Sequence, residues 1–241
     1  MDYSFLQCGE GALTVHLGDG IDPAINRRVT ALQGAVDSAG LRGITDLIPA
    51  YADLTVCYDC TVISAKALQR QLRRLLDSLS VAGQDRRRVF RLPVCYGGDY
   101  GPDLDFVCHH SGLSAQEVIE LHSAPDYLIY MLGFLPGFAY LGGLDPRLHT
   151  PRLDSPRTCI PAGSVGIGGA QTGVYPLASP GGWQLLGRTP VSVFDRQRQI
   201  LYRAGDLVHF VPISPAEYEE IARAVAADTY TVQVEEVPVC D

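Results

Sequence analysis

Apolar positions along this chain follow two different rules. In the first ninety residues the pattern is clean. ALTVHLG (12–18) alternates apolar and polar side chains with the period of two that marks a half-buried strand. Asp22-Pro23 then offers a helix start, with Asp as the cap and Pro in the first turn. Ile25, Val29, Leu32 and Val36 follow at helical spacing, and Gly40 is placed to end the helix. ITDLIPAY (44–51) and LTVCYD (54–59) read as two strands joined by a short turn. Ser64 caps a second helix whose Leu68, Leu72, Leu75, Leu76 and Leu79 fall on one face, with Arg70, Arg73, Arg74 and Asp77 mostly on the other. VFRLPVCYG (89–97) reads as a further strand. The order β-α-β-β-α-β predicts a ferredoxin-like α+β module over residues 1–92.

Past residue 93 the pattern breaks into shorter pieces. Ser114-Ala-Gln-Glu117 is a capping box opening a helix that ends near His122. YLIYMLGF (127–134) is strand-like, and about fifty residues rich in Gly and Pro follow. VSVFD (191–195), ILYRAG (200–205) and LVHFVP (207–212) are short strand candidates. Ser214-Pro-Ala-Glu217 caps a last helix, and TYTVQVEEV (229–237) alternates again. Many short strands with Gly/Pro turns predict a barrel or sandwich over 93–241.

Composition narrows the picture. The chain has 241 residues, 46% of them hydrophobic, which suits a globular protein of one large or two small domains. A net charge of −8 argues against a nucleic-acid or acidic-membrane partner. The N-terminus lacks a basic region and apolar core of the secretory kind, and no run approaches the roughly 20 apolar residues of a spanning helix. Seven cysteines, an odd number at no disulfide-framework spacing, fit a reducing cytoplasm.

Several short motifs invite chemistry and fail its requirements. Cys57-Tyr-Asp-Cys60 lies inside an alternating strand rather than ahead of a helix, which favours small buried hydrophobes over a redox pair or a metal site. His109 and His110 point to different sides of a helix, and His122 suits a helix end, where a cation meets the dipole. GSVGIGG (163–169) is neither a phosphate loop nor a dinucleotide fingerprint, and Ser164 is not in a GxSxG elbow.

The informative segment is GGAQTGVYPLASPGGWQLLGRTP (168–190) with its approaches. Between Ser155 and Phe194 there is no Asp, Glu, His or Lys, and the charged side chains are Arg157 and Arg188. General acid–base work needs a titratable group near neutral pH, and this segment has none. It is rich instead in hydrogen-bond donors: two guanidinium groups, glycine-freed amides, Gln171, Thr172, Tyr175, Trp183 and Ser164. Donors of that kind bind carboxylates, amide carbonyls or phosphates. Phe138 and Tyr140 in PGFAYLGGL (136–144) suit pocket walls or core plugs.

The runs MLGFLPGFAYLGGLDPRL and PAGSVGIGGAQTGVYPLASPGGWQLLGRTP closely resemble the family called allophanate hydrolase subunit 1 or KipI-like proteins, now mostly described as the 5-oxoprolinase B subunit (PxpB). ALTVHLGDGIDPAINRRV, IPAYADLTVCYD and LPVCYGGDYGPDLDFV carry the likeness through the rest of the chain. The resemblance implies a ferredoxin-like domain followed by a cyclophilin-like β-barrel. It implies a hydrolase component that helps bind and orient 5-oxoproline for ATP-dependent opening to glutamate. The A and C subunits of the oxoprolinase complex are the partners it implies, the latter KipA-like or allophanate hydrolase subunit 2-like. ATP is used by the complex, and this chain holds no metal. The resemblance also leaves open regulation of a sensor histidine kinase, as one relative performs, and the older allophanate hydrolase assignment. Under the first reading Arg157 and Arg188 form a charge clamp, with Gln171, Thr172 and Ser164 as further polar contacts. Phe138, Tyr140, Tyr175 and Trp183 form the walls of the substrate site, and no catalytic residue is assigned.

Overall fold

The computed structural model describes residues 3–79, 86–195 and 199–238. The chain divides into two compact units, 1–85 and 86–241.

The first unit contains strands β1 (Ser4–Cys8), β2 (Ala12–His16), β3 (Ile44–Pro49) and β4 (Asp53–Tyr58), with helices α1 (Pro23–Ala39) and α2 (Ala65–Asp77). The strands form one antiparallel sheet in the order β1-β2-β4-β3. Both helices start where the sequence signals them. The Asp22 carboxylate accepts from the Ala24 N–H at 2.6 Å, and the Ser64 hydroxyl accepts from the Ala67 N–H. Gly40 ends α1 at φ 54°, a left-handed conformation that favours glycine. Leu13, Val15, Leu54 and Val56 meet Val29, Leu32, Leu68 and Leu72 in a sealed core.

One strand of the expected βαββαβ order is elsewhere. The 89–97 segment is part of β5 (Arg86–Tyr96), and β5 pairs within the second unit. The sheet edge beside β2 is taken instead by β1. Burial explains the exchange. Val89, Phe90, Leu92, Val94 and Cys95 are all buried, so β5 needs cover on both faces and suits the inside of a larger sheet. β1, with Leu6 exposed, suits an edge. Because β5 belongs whole to the second unit, the division falls ahead of the expected 92/93 boundary.

After β5 come α3 (Leu104–Ser111), α4 (Ala115–Ser123), β6 (Asp126–Leu132), β7 (Ala139–Gly142) and a short 3-10 turn, Pro146–Leu148. The Gly/Pro-rich region folds into β8 (Arg157–Ile160), β9 (Ser164–Gly168), β10 (Gln171–Val174), β11 (Ser179–Gly181) and β12 (Gln184–Arg188). Then follow β13 (Phe194–Asp195), β14 (Gln199–Ile200), β15 (Leu207–Ile213), α5 (Pro215–Ala226) and β16 (Gln233–Pro238). Strands β12-β9-β10-β7-β6-β15-β5 run in that order, and β5 pairs back to β12, closing a seven-stranded barrel that fits a cyclophilin-like domain. Strand β16 lies outside the ring against the first half of β5. VSVFD and ILYRAG shrink to the two-residue strands β13 and β14; residues 196–198 between them lie outside the described residues.

A buried chain of hydrogen bonds runs among the apolar side chains of the barrel. His122, at the end of α4, is fully buried rather than held at the surface as a cation. Its Nε2 lies 2.7 Å from the Thr172 hydroxyl, and that hydroxyl donates to the Gly166 carbonyl at 3.0 Å. The one hydroxyl proton is thus used, so Nε2 carries the imidazole proton. Nδ1 then accepts from the Tyr96 hydroxyl at 2.8 Å. The ring stacks on Phe210 with centroids 4.8 Å apart.

Burial pushes the His122 pKa down from 6.5 to about 3. The unfolded chain therefore binds a proton in this interval that the folded chain refuses. The stability tied to a neutral His122 is fully present above pH 6.5 and is lost as pH falls from there toward about 3. The loss reaches on the order of 5 kcal/mol at the acid end. Urea midpoints measured from pH 7 to pH 4 should fall more steeply for the wild type than for His122→Gln. Parallel slopes would show that this imidazole does not set the acid sensitivity.

Candidate functional site

The glycines of the 163–187 region follow strand alternation. In β9, Val165 and Ile167 point into the barrel core, leaving Ser164, Gly166 and Gly168 on the outer face. In β10, Thr172 and Val174 point in, leaving Gln171 and Gly173 out. The outer surface of these strands is therefore bare backbone at Gly166, Gly168 and Gly173, and aromatic rings lie over Gly168 and Gly173. A Cβ on Gly168 would collide with the Trp183 indole. One on Gly173 would lie 3.2 Å from Trp183 and 3.4 Å from Phe138. The glycine richness answers a packing need: flat rings can approach the sheet only where no side chain stands.

Phe138, Tyr175 and Trp183 join Ile160 and Leu185 in a small apolar cluster separate from the barrel core. Phe138 is the hub. Its ring meets Tyr140 at 5.2 Å, Tyr175 at 5.5 Å and Trp183 at 5.5 Å between centroids, each edge to face. Each such pair contributes about 0.5–1.5 kcal/mol beyond its buried area. Phe134 adds a fourth ring at 5.7 Å. It projects from the turn between β6 and β7 with φ 66° and is 64% exposed. A left-handed conformation is costly for a bulky residue, and here it places an apolar ring at a rim in contact with water.

These rings enclose a cavity of about 480 Å³. Its lining includes Ser179 and one charged side chain, Arg152. The Arg152 guanidinium lies 5.8 Å from the centre of the Trp183 ring, within cation–π range. Ser179 is 7% exposed, and its hydroxyl oxygen is buried without a hydrogen-bond partner. The Tyr175 hydroxyl accepts from the Trp183 backbone N–H, and burial raises its pKa above the ordinary value of 10, so it is neutral at physiological pH.

Phe138, Tyr140, Tyr175 and Trp183 thus come together as the cavity walls. The polar candidates lie elsewhere. Arg157 donates to Asp103 at 2.6 Å, and the other oxygen of Asp103 accepts from the Leu185 N–H at 2.6 Å. Asp103 thereby ties β12, and through Arg157 also β8, to the start of α3. Thr172 belongs to the buried His122 chain inside the barrel. Gln171 opens β10 opposite Gly168. Ser164 and Arg188 face each other across β9 and β12; the Ser164 hydroxyl and the Arg188 Nε are buried without a partner, and neither residue lines the aromatic cavity.

Sequence reasoning passed over Arg152, Ser179 and Phe134. Arg152 lies just ahead of the acid-free segment, and Ser179 reads as an ordinary loop serine. The available signal was the single tryptophan, against which Arg152 stacks. Among the described residues, no group of three or more His, Cys, Asp or Glu side chains is arranged to hold a metal. The cysteines among them are free, with Cys57 in β4 and Cys60 beyond it. No helix among them is long and apolar enough to cross a membrane.

A family model for the carboxyltransferase domain, subdomain C and D, matches residues 3–202. The chain is 41% identical over 228 residues to the 5-oxoprolinase B subunit of Bacillus subtilis (strain 168), covering 90% of this chain and 95% of that one. It is 46% identical over 208 residues to the 5-oxoprolinase B subunit of Escherichia coli O157:H7, covering 85% and 93%. Among solved structures, the K. lactis urea amidolyase shares the fold at a TM-score of 0.83. Identity there is 23%, and the match covers 98% of this chain and 16% of that much longer one.

The packing argument makes a direct forecast for Gly168→Ala. The added methyl displaces the indole, which should cost about 1–3 kcal/mol and shift the emission of the lone tryptophan to longer wavelength. Unchanged emission and an unchanged urea midpoint would mean that Trp183 does not rest on this backbone.

Proposed function

The chain belongs to the 5-oxoprolinase B-subunit family, and from that premise we propose that its outer-face cavity binds and orients 5-oxoproline while partner subunits drive ATP-coupled ring opening to glutamate. The observation that carries this reading is the composition of the cavity: five aromatic rings, one guanidinium, and no carboxylate, imidazole or amine among its lining residues. 5-Oxoproline is a small flat ring with a single carboxylate and a neutral amide. Its ring suits walls of Phe138, Tyr140, Tyr175 and Trp183, and its carboxylate suits Arg152.

The same composition supports a positioning role for this chain, with the chemistry completed by other chains. Proton transfer to the leaving nitrogen needs a group that titrates near neutral pH, and the lining contains no carboxylate, imidazole, thiol or amine side chain. A nucleoside triphosphate with its magnesium does not fit here either, because the lining holds one cation and no acid to share the metal. This supports a reading in which a partner subunit holds the nucleotide. The expected partners are an A subunit and a KipA-like C subunit, assembled with this chain in the cytoplasm. This chain contributes positioning, which converts an encounter among several components into a reaction within one assembly.

The test is 5-oxoproline-dependent ADP release from this chain, from its candidate A and C partners, and from all three mixed. Turnover should require the full mixture and vanish when this chain is omitted. Within the active mixture, Tyr140→Ala should raise KM for 5-oxoproline about tenfold, with a smaller change in kcat. A well-formed but inactive assembly would overturn the oxoprolinase reading in favour of a regulatory one.

A further inference from the structure

Two polar side chains of the cavity lining have no hydrogen-bond or ion-pair partner among the described residues, and they differ in kind. Arg152 rests on the Trp183 face, and no carboxylate among the described residues is paired with it. Ser179, on β11, presents a buried hydroxyl that neither donates nor accepts within the protein. A buried hydroxyl without a partner is unfavourable unless a bound molecule or water satisfies it. The cavity therefore asks for a ligand with one negative charge and one neutral hydrogen-bonding group, joined by an apolar body small enough for the aromatic walls.

We propose that Arg152 and Ser179 are the specificity determinants of this cavity: Arg152 reads a carboxylate, Ser179 reads the neutral amide of a five-membered lactam, and together they admit the closed ring and reject its open and amine forms. The inference rests on the oxoprolinase reading and goes beyond it, because it says what the pocket refuses. Proline has the same ring, but its nitrogen is a cation, which would meet Arg152 and the Ser179 hydroxyl with no acid to neutralise it. Glutamate, the opened form, brings a second carboxylate and an ammonium group. With a single charged residue in the lining, either extra charge would be buried unpaired, which is strongly unfavourable. A ring acid without the amide keeps the carboxylate contact and leaves the Ser179 hydroxyl unsatisfied. The pocket thus distinguishes substrate from product by charge, and opening the ring expels the ligand from its own site.

Trp183 is the only tryptophan in the chain, so its fluorescence reports occupancy directly. The full chain, alone and assembled with its partners, is titrated with 5-oxoproline, proline, glutamate and cyclopentanecarboxylate, and the titrations are repeated with Ser179→Ala and Arg152→Met. In the wild type, 5-oxoproline should bind at least about tenfold more tightly than each of the other three, the discrimination expected of one buried hydrogen bond or more. Ser179→Ala should weaken 5-oxoproline about tenfold and leave cyclopentanecarboxylate nearly unchanged. Arg152→Met should weaken both acids by a similar factor, about tenfold or more. The wild-type ratio of 5-oxoproline to cyclopentanecarboxylate persisting in a folded Ser179→Ala chain would overturn the lactam-reading role. Equal affinity of the wild type for 5-oxoproline and proline would do the same. If 5-oxoproline leaves Trp183 unaffected while the assembled complex turns it over, this inference falls and the oxoprolinase reading survives. If the complex is also inactive, both fall.

Discussion

The closure between β12 and β5 is the contact on which the rest of the second unit depends. It is narrow: Gly187 lies opposite Tyr96 and Arg188 opposite Cys95, with Gly97 N–H donating to the Leu186 carbonyl at 2.9 Å. The backbones meet so closely that a Cβ on Gly187 would strike the Cys95 carbonyl, and one on Gly101 would strike that of Leu186. Asp103 fastens the same place from beside it, accepting from Leu185 and from Arg157. Trp183 directly precedes β12, so the clip that closes the barrel also fixes the largest ring of the cavity. Structure and site share one support, and for that reason the arginine nearest the pocket in β8 serves the scaffold.

Much of this was legible from local chemistry. Asp22, Ser64, Ser114 and Ser214 each announced a helix start, and each cap is present. Those signals are short-range, so neighbouring residues suffice to read them. The fate of 89–97 was not legible, because an apolar run is compatible with any sheet able to cover both its faces, and the partner strand β15 lies more than a hundred residues away. β1 was missed for the opposite reason: an edge strand buries so little that its alternation is faint.

The site divided along the same line. The aromatic candidates converged because aromatic rings near glycines have few alternatives to packing against bare backbone. The polar candidates scattered because a guanidinium or hydroxyl can be satisfied in many ways. Arg157 found Asp103, and Thr172 found His122, from segments distant in sequence. Donor chemistry can be counted along a chain, but whether a donor is already in use depends on the fold. Arg152 and Ser179 stand out only because the structure leaves them without a hydrogen-bond or ion-pair partner among the described residues.

The parallel pairing of β5 with β15 also sets an order of events at the ribosome. Every pairing in the first sheet lies between residues 4 and 58, so that sheet can assemble early. Strand β5 emerges soon afterwards, yet Val89 must wait for Leu207 and Cys95 for Ile213. Through that interval a strand meant to be covered on both faces stays open to intermolecular pairing, the usual hazard of nonlocal sheet topology. The run Arg86-Arg87-Arg88 puts three positive charges at the head of that strand, the kind of flank that disfavours such self-association.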